Sequence, residues 1–320
     1  MVKNKILLIT GGTGMVGKAI MRNLPGTLSA IPISSKDFDL RSQKQTQNMY
    51  EKYVPDAVIH LAAKVGGVKA NSEQVADFFN ENILINTNVL MEANKNNVQN
   101  VISLLSTCVY PDKDYVEYPL TEQQLHLGPP HESNFGYAYA KRMVEVQSRA
   151  FRKQYNRNYI TAIPNNIFGP EDNFDLENGH VLPTIIRKIF EAKISNTAPV
   201  FWGSGNPLRE FTFVDDIAKC LLKMSGESGE IEEKFYTSEM PYNIGTNKEI
   251  SIKKVVYMVA NILEYHGEIL WDRSKPEGQF RKPSNSTNFK HKYLPLEDGL
   301  KITCKWFVEN YPNVRGINKN

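Results

Sequence analysis

Tyr137 and Lys141 stand four residues apart in a stretch, residues 137–155, that holds neither proline nor glycine and sets small and charged residues at helical spacing. On a helix that separation puts both side chains on one face. A phenol titrating near ~10 exchanges protons poorly at neutral pH. An ammonium beside it stabilises the phenolate and brings the group into range. Tyr139, two residues from Lys141, points to another side of the same helix. The pair is equally compatible with an ordinary helix surface, so its chemistry depends on what lies opposite. Ser106 directly follows the apolar run 101–105, which puts it at the carboxyl end of a strand, where doubly wound α/β sheets bind ligands. Cys108 adds a thiol two residues on, although a lone cysteine is commonly a small buried apolar residue.

A second cluster is built from backbone. Gly11, Gly12, Thr13, Gly14, Met15, Val16 and Gly17 follow the apolar run 5–10 and open a helical stretch that stops at Pro25-Gly26. Gly12, Gly14 and Gly17 satisfy G-x-G-x-x-G, and Gly11, Gly14 and Gly17 satisfy G-x-x-G-x-x-G. Between strand and helix such a loop lets bare backbone approach a pyrophosphate while the helix N-terminus stabilises its charge. NAD sites usually end the second strand with a carboxylate for the ribose 2′-hydroxyl. Here Ser34-Ser35-Lys36 stands there, hydroxyls and an ammonium that suit a 2′-phosphate and therefore NADP(H). A solvated Lys36 with Asp37 beside it is the alternative.

The glycine loop, Ser106 after a central strand and Tyr137-x-x-x-Lys141 together resemble the extended short-chain dehydrogenase/reductase family. The resemblance implies that Ser106 hydrogen-bonds the substrate oxygen, Tyr137 exchanges its proton and Lys141 orients the nicotinamide ribose. Sugar dehydratases of this family carry Asp-Glu after Ser-Thr, whereas this chain reads Ser106-Thr107-Cys108-Val109-Tyr110-Pro111. A wider set of segments is similar to the GDP-4-keto-6-deoxy-D-mannose epimerase-reductase (GDP-L-fucose synthase) family. They are His60 through Gly67, Ser106-Thr107-Cys108, Asn134 through Arg142, Gly169 through Phe174, Gly179-His180-Val181-Leu182-Pro183, Trp202-Gly203-Ser204-Gly205, Ser274 through Gly278 and Trp306-Phe307.

That resemblance implies 3,5-epimerisation followed by NADPH-dependent reduction at C4, with Cys108 the base and His180 the acid. Without it, His180 reads equally as a loop histidine satisfied by backbone. The resemblance extends the cofactor set to Asp39, Leu40, Leu61, Ala62, Ala63, Asn166 and His180. It assigns the GDP-sugar to Ser106, Thr107, Cys108, Arg187, Lys188, Trp202, Arg209 and Lys282. Two departures lie near these residues: Glu171 stands where many relatives have His, and Asn165 replaces a usual threonine. A related 4-keto-deoxy sugar, on a different nucleotide or lacking the 3-hydroxyl, is the alternative substrate. Relatives pair two helices per subunit, here around residues 78–94 and 137–155, which implies a homodimer.

These residues need a scaffold. Apolar runs at 5–10, 28–33, 57–61, 101–105 and 160–164 alternate with helix-like segments, the pattern of an α/β, doubly wound parallel (Rossmann) sheet reaching about residue 165. After Phe168-Gly169-Pro170 the texture turns rich in Asn, Asp and Gly. Residues 1–166 are thus expected to form the NADP-binding domain and 167–320 mainly a smaller, partly interleaved substrate domain, with some later segments returning to the first. Helices are expected near 183–192, 217–224 and 296–311. The net charge of +3 excludes the electrostatic footprint of a nucleic-acid binder. No run approaches the ~18 apolar residues of a membrane helix. Cys108, Cys220 and Cys304 form neither a metal-ligand pattern nor a disulfide framework, which predicts no metal, a reducing compartment and a cytoplasmic enzyme.

Overall fold

Alternate residues of the first strand, β1 (Lys5–Thr10), face two different cores. Leu7 and Ile9 join one buried cluster and Leu8 the other, because successive strand side chains point to opposite faces. The computed structural model describes residues 5–26, 28–226, 240–275 and 279–317, so the matched Pro276-Glu277-Gly278 lies outside the described residues.

β1, β2 (Leu28–Ile33), β3 (Ala57–His60), β4 (Asn100–Leu104) and β5 (Asn158–Pro164) are the apolar runs of the sequence, now paired in parallel. Helices α1 (Met15–Arg22), α2 (Gln43–Tyr53), α3 (Val68–Glu73), α4 (Val75–Lys95) and α5 (Phe135–Tyr155) fill the crossovers. A parallel sheet covered on both faces requires near-continuous apolar strands, and β5 is buried along its whole length. The sheet does not stop near residue 165. After β6 (Asn166–Phe168), α6 (Val181–Ser195), β7 (Val200–Trp202), β8 (Leu208–Phe213) and α7 (Val214–Ser225), the chain returns as β9 (Tyr242–Ile244). The order becomes β2-β1-β3-β4-β5-β9. A three-residue strand is too short to show a periodicity, and its pairing to β5 spans about 80 positions.

β6 leaves the large sheet one residue after β5 and pairs with β8, which also holds β10 (Glu249–Ser251). β7 pairs with β11 (Leu270–Asp272) in a further two-stranded sheet. α8 (Ile252–Ile262) and α9 (Leu296–Asn310) pack around this smaller region with α6. Asn165 sits at the branch: Thr212 Oγ1 donates to its Oδ1 at 2.7 Å and its amide donates to buried Glu210 at 3.4 Å. No helix of the described residues is long and apolar enough to cross a membrane.

Candidate active site

The glycine loop joins β1 to α1 with almost no spare room. A Cβ on Gly17 would lie 2.4 Å from the Gly12 carbonyl oxygen, and one on Gly12 2.6 Å from Pro32. Gly11 holds φ +67° with Ala62 backbone 2.9 Å from where its Cβ would be. Gly14 caps α1 with no side-chain hydrogen bond, and the first turn carries no acid. The helix N-terminus therefore presents free N–H groups beside bare backbone, a cradle that fits the pyrophosphate of a dinucleotide. Leu61, Ala62 and Ala63 follow β3 beside it, half-buried.

At the end of β2, Ser34 donates its backbone N–H and hydroxyl to Asp37 at 2.8 and 2.6 Å. Those bonds hold the Asp37 carboxyl below its usual range and tuck it into the turn. Ser35 and Lys36 are exposed. Asp39 accepts from Arg41 through Nε at 2.9 Å and Nη2 at 2.9 Å, and Arg41 reaches Glu81 at 2.8 Å. Sequence reasoning missed Arg41, whose link to Glu81 spans 40 positions. Leu40 is buried under this turn.

β4 delivers the reactive groups. Past Leu104 and Leu105 the chain turns through Ser106 into a short 3-10 helix, Thr107–Val109, and the Ser106 oxygen accepts from the Cys108 N–H at 3.5 Å. Ser106, Thr107, Cys108 and Tyr137 are all half-buried, between core and solvent. From α5, Lys141 is 3% exposed and donates to the Leu104 carbonyl at 3.0 Å. The Tyr137 ring meets Phe78 edge-on at 6.3 Å. Burial pulls the Lys141 ammonium down to about 8, with Cys108 acting the other way. It pushes the Tyr137 phenol well up, and Cys108 adds to the push. The lowering by Lys141 that the spacing suggests does not figure among the influences on the phenol, where desolvation leads and Cys108 follows. Burial raises the Cys108 thiol as well, opposed in turn by Ser106, Lys282 and Lys141. The structure thereby brings Ser106, Cys108, Tyr137, Lys141 and Lys282 into one electrostatic neighbourhood.

His180 caps α6, exposed at its surface, with its carbonyl accepting from Thr184. Protein packed around the ring desolvates the imidazolium although part of its surface stays open, and with Arg315 this lowers its pKa. The preceding loop reaches the turn after β3: a Cβ on Gly67 would meet the Asn178 backbone at 3.6 Å. The same loop is tied at its root, where Phe174 N–H donates to the Arg315 carbonyl at 2.9 Å. Asp172 lies there, 4% exposed, with one carboxyl oxygen on Asn173 N–H and the other unpartnered; burial raises it to about 7.

The proposed sugar-nucleotide residues divide. Trp202 is 63% exposed, with Lys275 5.9 Å over its ring. Arg209 donates to the Leu208 carbonyl at 2.7 Å, and Lys188 to the Val200 carbonyl at 2.9 Å. Arg187 does not offer its charge to this cleft. Its guanidinium donates to Glu191 at 2.8 Å and to the Phe174 and Gly316 carbonyls at 3.0 Å each, so it anchors the His180 loop to the C-terminal segment. Asn166 donates to the Glu210 carbonyl at 2.8 Å, and Glu171 pairs with Lys18 on α1.

Comparison with known proteins adds four relationships. Residues 7–245 match the family model described as the NAD dependent epimerase/dehydratase family. A GDP-L-fucose synthase of Dictyostelium discoideum is 38% identical, over 97% of this chain and 98% of its own length. A crystal structure of a GDP-L-fucose synthetase from Naegleria fowleri bound to NADP shares 37% identity at TM-score 0.87, covering 98% of this chain and 96% of that one. A GDP-6-OMe-4-keto-L-xylo-heptose reductase from C. jejuni has TM-score 0.85 at 27% identity, covering 97% and 99%.

Proposed function

This chain belongs to the NAD dependent epimerase/dehydratase family and, within it, to the GDP-L-fucose synthases; on that premise we propose that it inverts C3 and C5 of GDP-4-keto-6-deoxy-D-mannose and then reduces C4 with NADPH to give GDP-L-fucose. The observation that carries this reading is the grouping of a thiol, Cys108, with Ser106, Tyr137 and Lys141, since plain ketone reduction has no use for the thiol.

A C4 ketone acidifies the hydrogens at C3 and C5, because either carbanion delocalises into an enolate. Ser106 and Tyr137 hold the C4 oxygen as charge develops. Cys108 removes the proton from one face and His180 supplies one from the other. In the free enzyme the thiol is raised and the imidazole lowered, so the active thiolate and imidazolium arise by moving one proton between them. Lys282 and Lys141 favour that move through their pull on the thiol. Bound NADPH supplies hydride for C4. Tyr137 then donates its phenolic proton to the C4 oxygen, and Lys141 holds the ribose. Arg209, Lys188 and Lys282 neutralise the diphosphate, and Trp202 offers a ring face to the nucleotide.

Product NMR from GDP-4-keto-6-deoxy-D-mannose and NADPH in heavy water tests the whole reading. Deuterium at C3 and C5 of GDP-L-fucose is expected, and reduction without exchange would overturn it. A related 4-keto substrate is the second reading, supported less well by the likeness to the heptose reductase than the first is by the GDP-L-fucose synthases, and assaying GDP- and UDP-linked 4-keto sugars side by side decides between them. Lys36→Glu should raise the NADPH KM about tenfold while leaving NADH little changed. Exposed Leu84 and Met91 on α4, with half-buried Tyr139, Met143 and Val146 on α5, support a homodimer through a four-helix interface; light scattering of Leu84→Asp checks it. The unpaired cysteines support a cytoplasmic location.

A further inference from the structure

Lys141 is followed on α5 by a second buried cation, Arg142, which is 5% exposed. Its Nε and Nη2 donate to the Val109 carbonyl at 2.9 and 2.5 Å, and its Nη1 to the Gly128 carbonyl at 2.8 Å. The Tyr139 ring covers it, 5.3 Å from the guanidinium carbon. Lys141 meanwhile donates to the Leu104 carbonyl at 3.0 Å. Two adjacent residues of one helix thus grip the chain at residues 104 and 109, and Ser106 and Cys108 lie between the grips. Helix geometry makes this possible, since neighbours differ by about 100° around the axis and reach two separate stretches of the same strand-to-turn segment. Arg142 has the fixed fork that the Val109 carbonyl and the crossing segment at Gly128 require, and a lysine could meet only part of it.

We propose that Arg142 is a positioning residue for the epimerisation half of the reaction: it sets the Cys108 turn relative to Tyr137 and keeps a fixed positive charge at the carbonyl of Val109, the residue next to the thiol. The inference rests on the proposed role of Cys108. It predicts an unequal division of damage. The Ser106 hydroxyl and Tyr137 stay anchored through Lys141, while the thiol beyond them loses its registration.

The test separates the two chemistries. Exchange at C3 and C5 is followed in heavy water with GDP-4-keto-6-deoxy-D-mannose and no NADPH. Reduction is followed in reverse, as NADP+ reduction by GDP-L-fucose. Thiol ionisation is read from the pH dependence of Cys108 alkylation by iodoacetamide, since Cys220 and Cys304 are buried. Arg142→Met should slow exchange about 100-fold, the scale of a misplacement near 1 Å, slow reverse reduction much less, and move the alkylation midpoint to higher pH. Arg142→Lys should recover part of the exchange rate, and it carries the test by itself if Arg142→Met does not fold. Equal loss of both partial reactions, or an unmoved alkylation profile, overturns the inference. Cys108→Ala serves as the control: if it retains exchange the reading of the active site fails, whereas abolished exchange there with intact exchange in the Arg142 variants refutes only the role given to Arg142.

Discussion

The two sides of the candidate cleft are built in opposite ways. On the sheet side, Ser106, Cys108, Tyr137 and Lys141 come from one strand-to-turn segment and one helix, and buried donors hold the segment by its carbonyls at 104 and 109. In the smaller region, His180, Trp202 and Lys188 are exposed or half-buried side chains. The loop before His180 is held through Arg187, Phe174 and the C-terminal residues 315 and 316. The segment that carries Ser106 and Cys108 is therefore held in place before any substrate arrives. These residues of the smaller region keep more solvent exposure, which a large nucleotide sugar would cover on binding.

Removing chemistry from the rigid side should break this contrast most sharply. Cys108→Ala is expected to lower C3 and C5 exchange about 1,000-fold, within the usual range for a lost acid-base group. Tyr137→Phe should leave exchange measurable and cut reduction by a comparable factor, and stopped-flow NADPH oxidation beside NMR exchange separates the two. The next effect is pH. Because burial brings Lys141 to about 8, its ammonium is lost as pH rises through that value. Reductive kcat/KM should then fall about tenfold per pH unit above it, and a flat profile would remove Lys141 from the reaction.

On the looser side the expected effects are smaller. Arg187→Met frees the root of the His180 loop, and leaving two carbonyls without their donor costs about 1–3 kcal/mol of stability. Exchange should drop more than reverse reduction, because only exchange needs His180; an unchanged ratio would show that the loop is set elsewhere. The smallest effect sharpens the account of Asp172. Its carboxyl is raised to about 7, so the folded state retains a proton that the unfolded chain has released. Stability from this group is complete below the unfolded pKa and is lost as pH rises through about 7. Asp172→Asn should accordingly shift Tm upward relative to wild type as pH is raised across that window, and a pH-independent difference would show that Arg315 already compensates the charge.

The sequence alone determined whatever local rules encode. Continuous apolar runs set five parallel strands. The glycine spacing set a turn that no side chain can enter, as the 2.4 Å clearance at Gly17 bears out. Four-residue spacing set Tyr137 and Lys141 on one helix. Tertiary structure alone decided the rest: β9 closing the sheet, Arg187 bonding the Phe174 and Gly316 carbonyls to hold a loop, Arg142 gripping the Val109 carbonyl, and burial raising the Tyr137 phenol. Each of these depends on residues tens to more than a hundred positions apart. Periodicity and spacing report only neighbours along the chain, whereas desolvation and buried hydrogen bonds depend on what packing brings together in space.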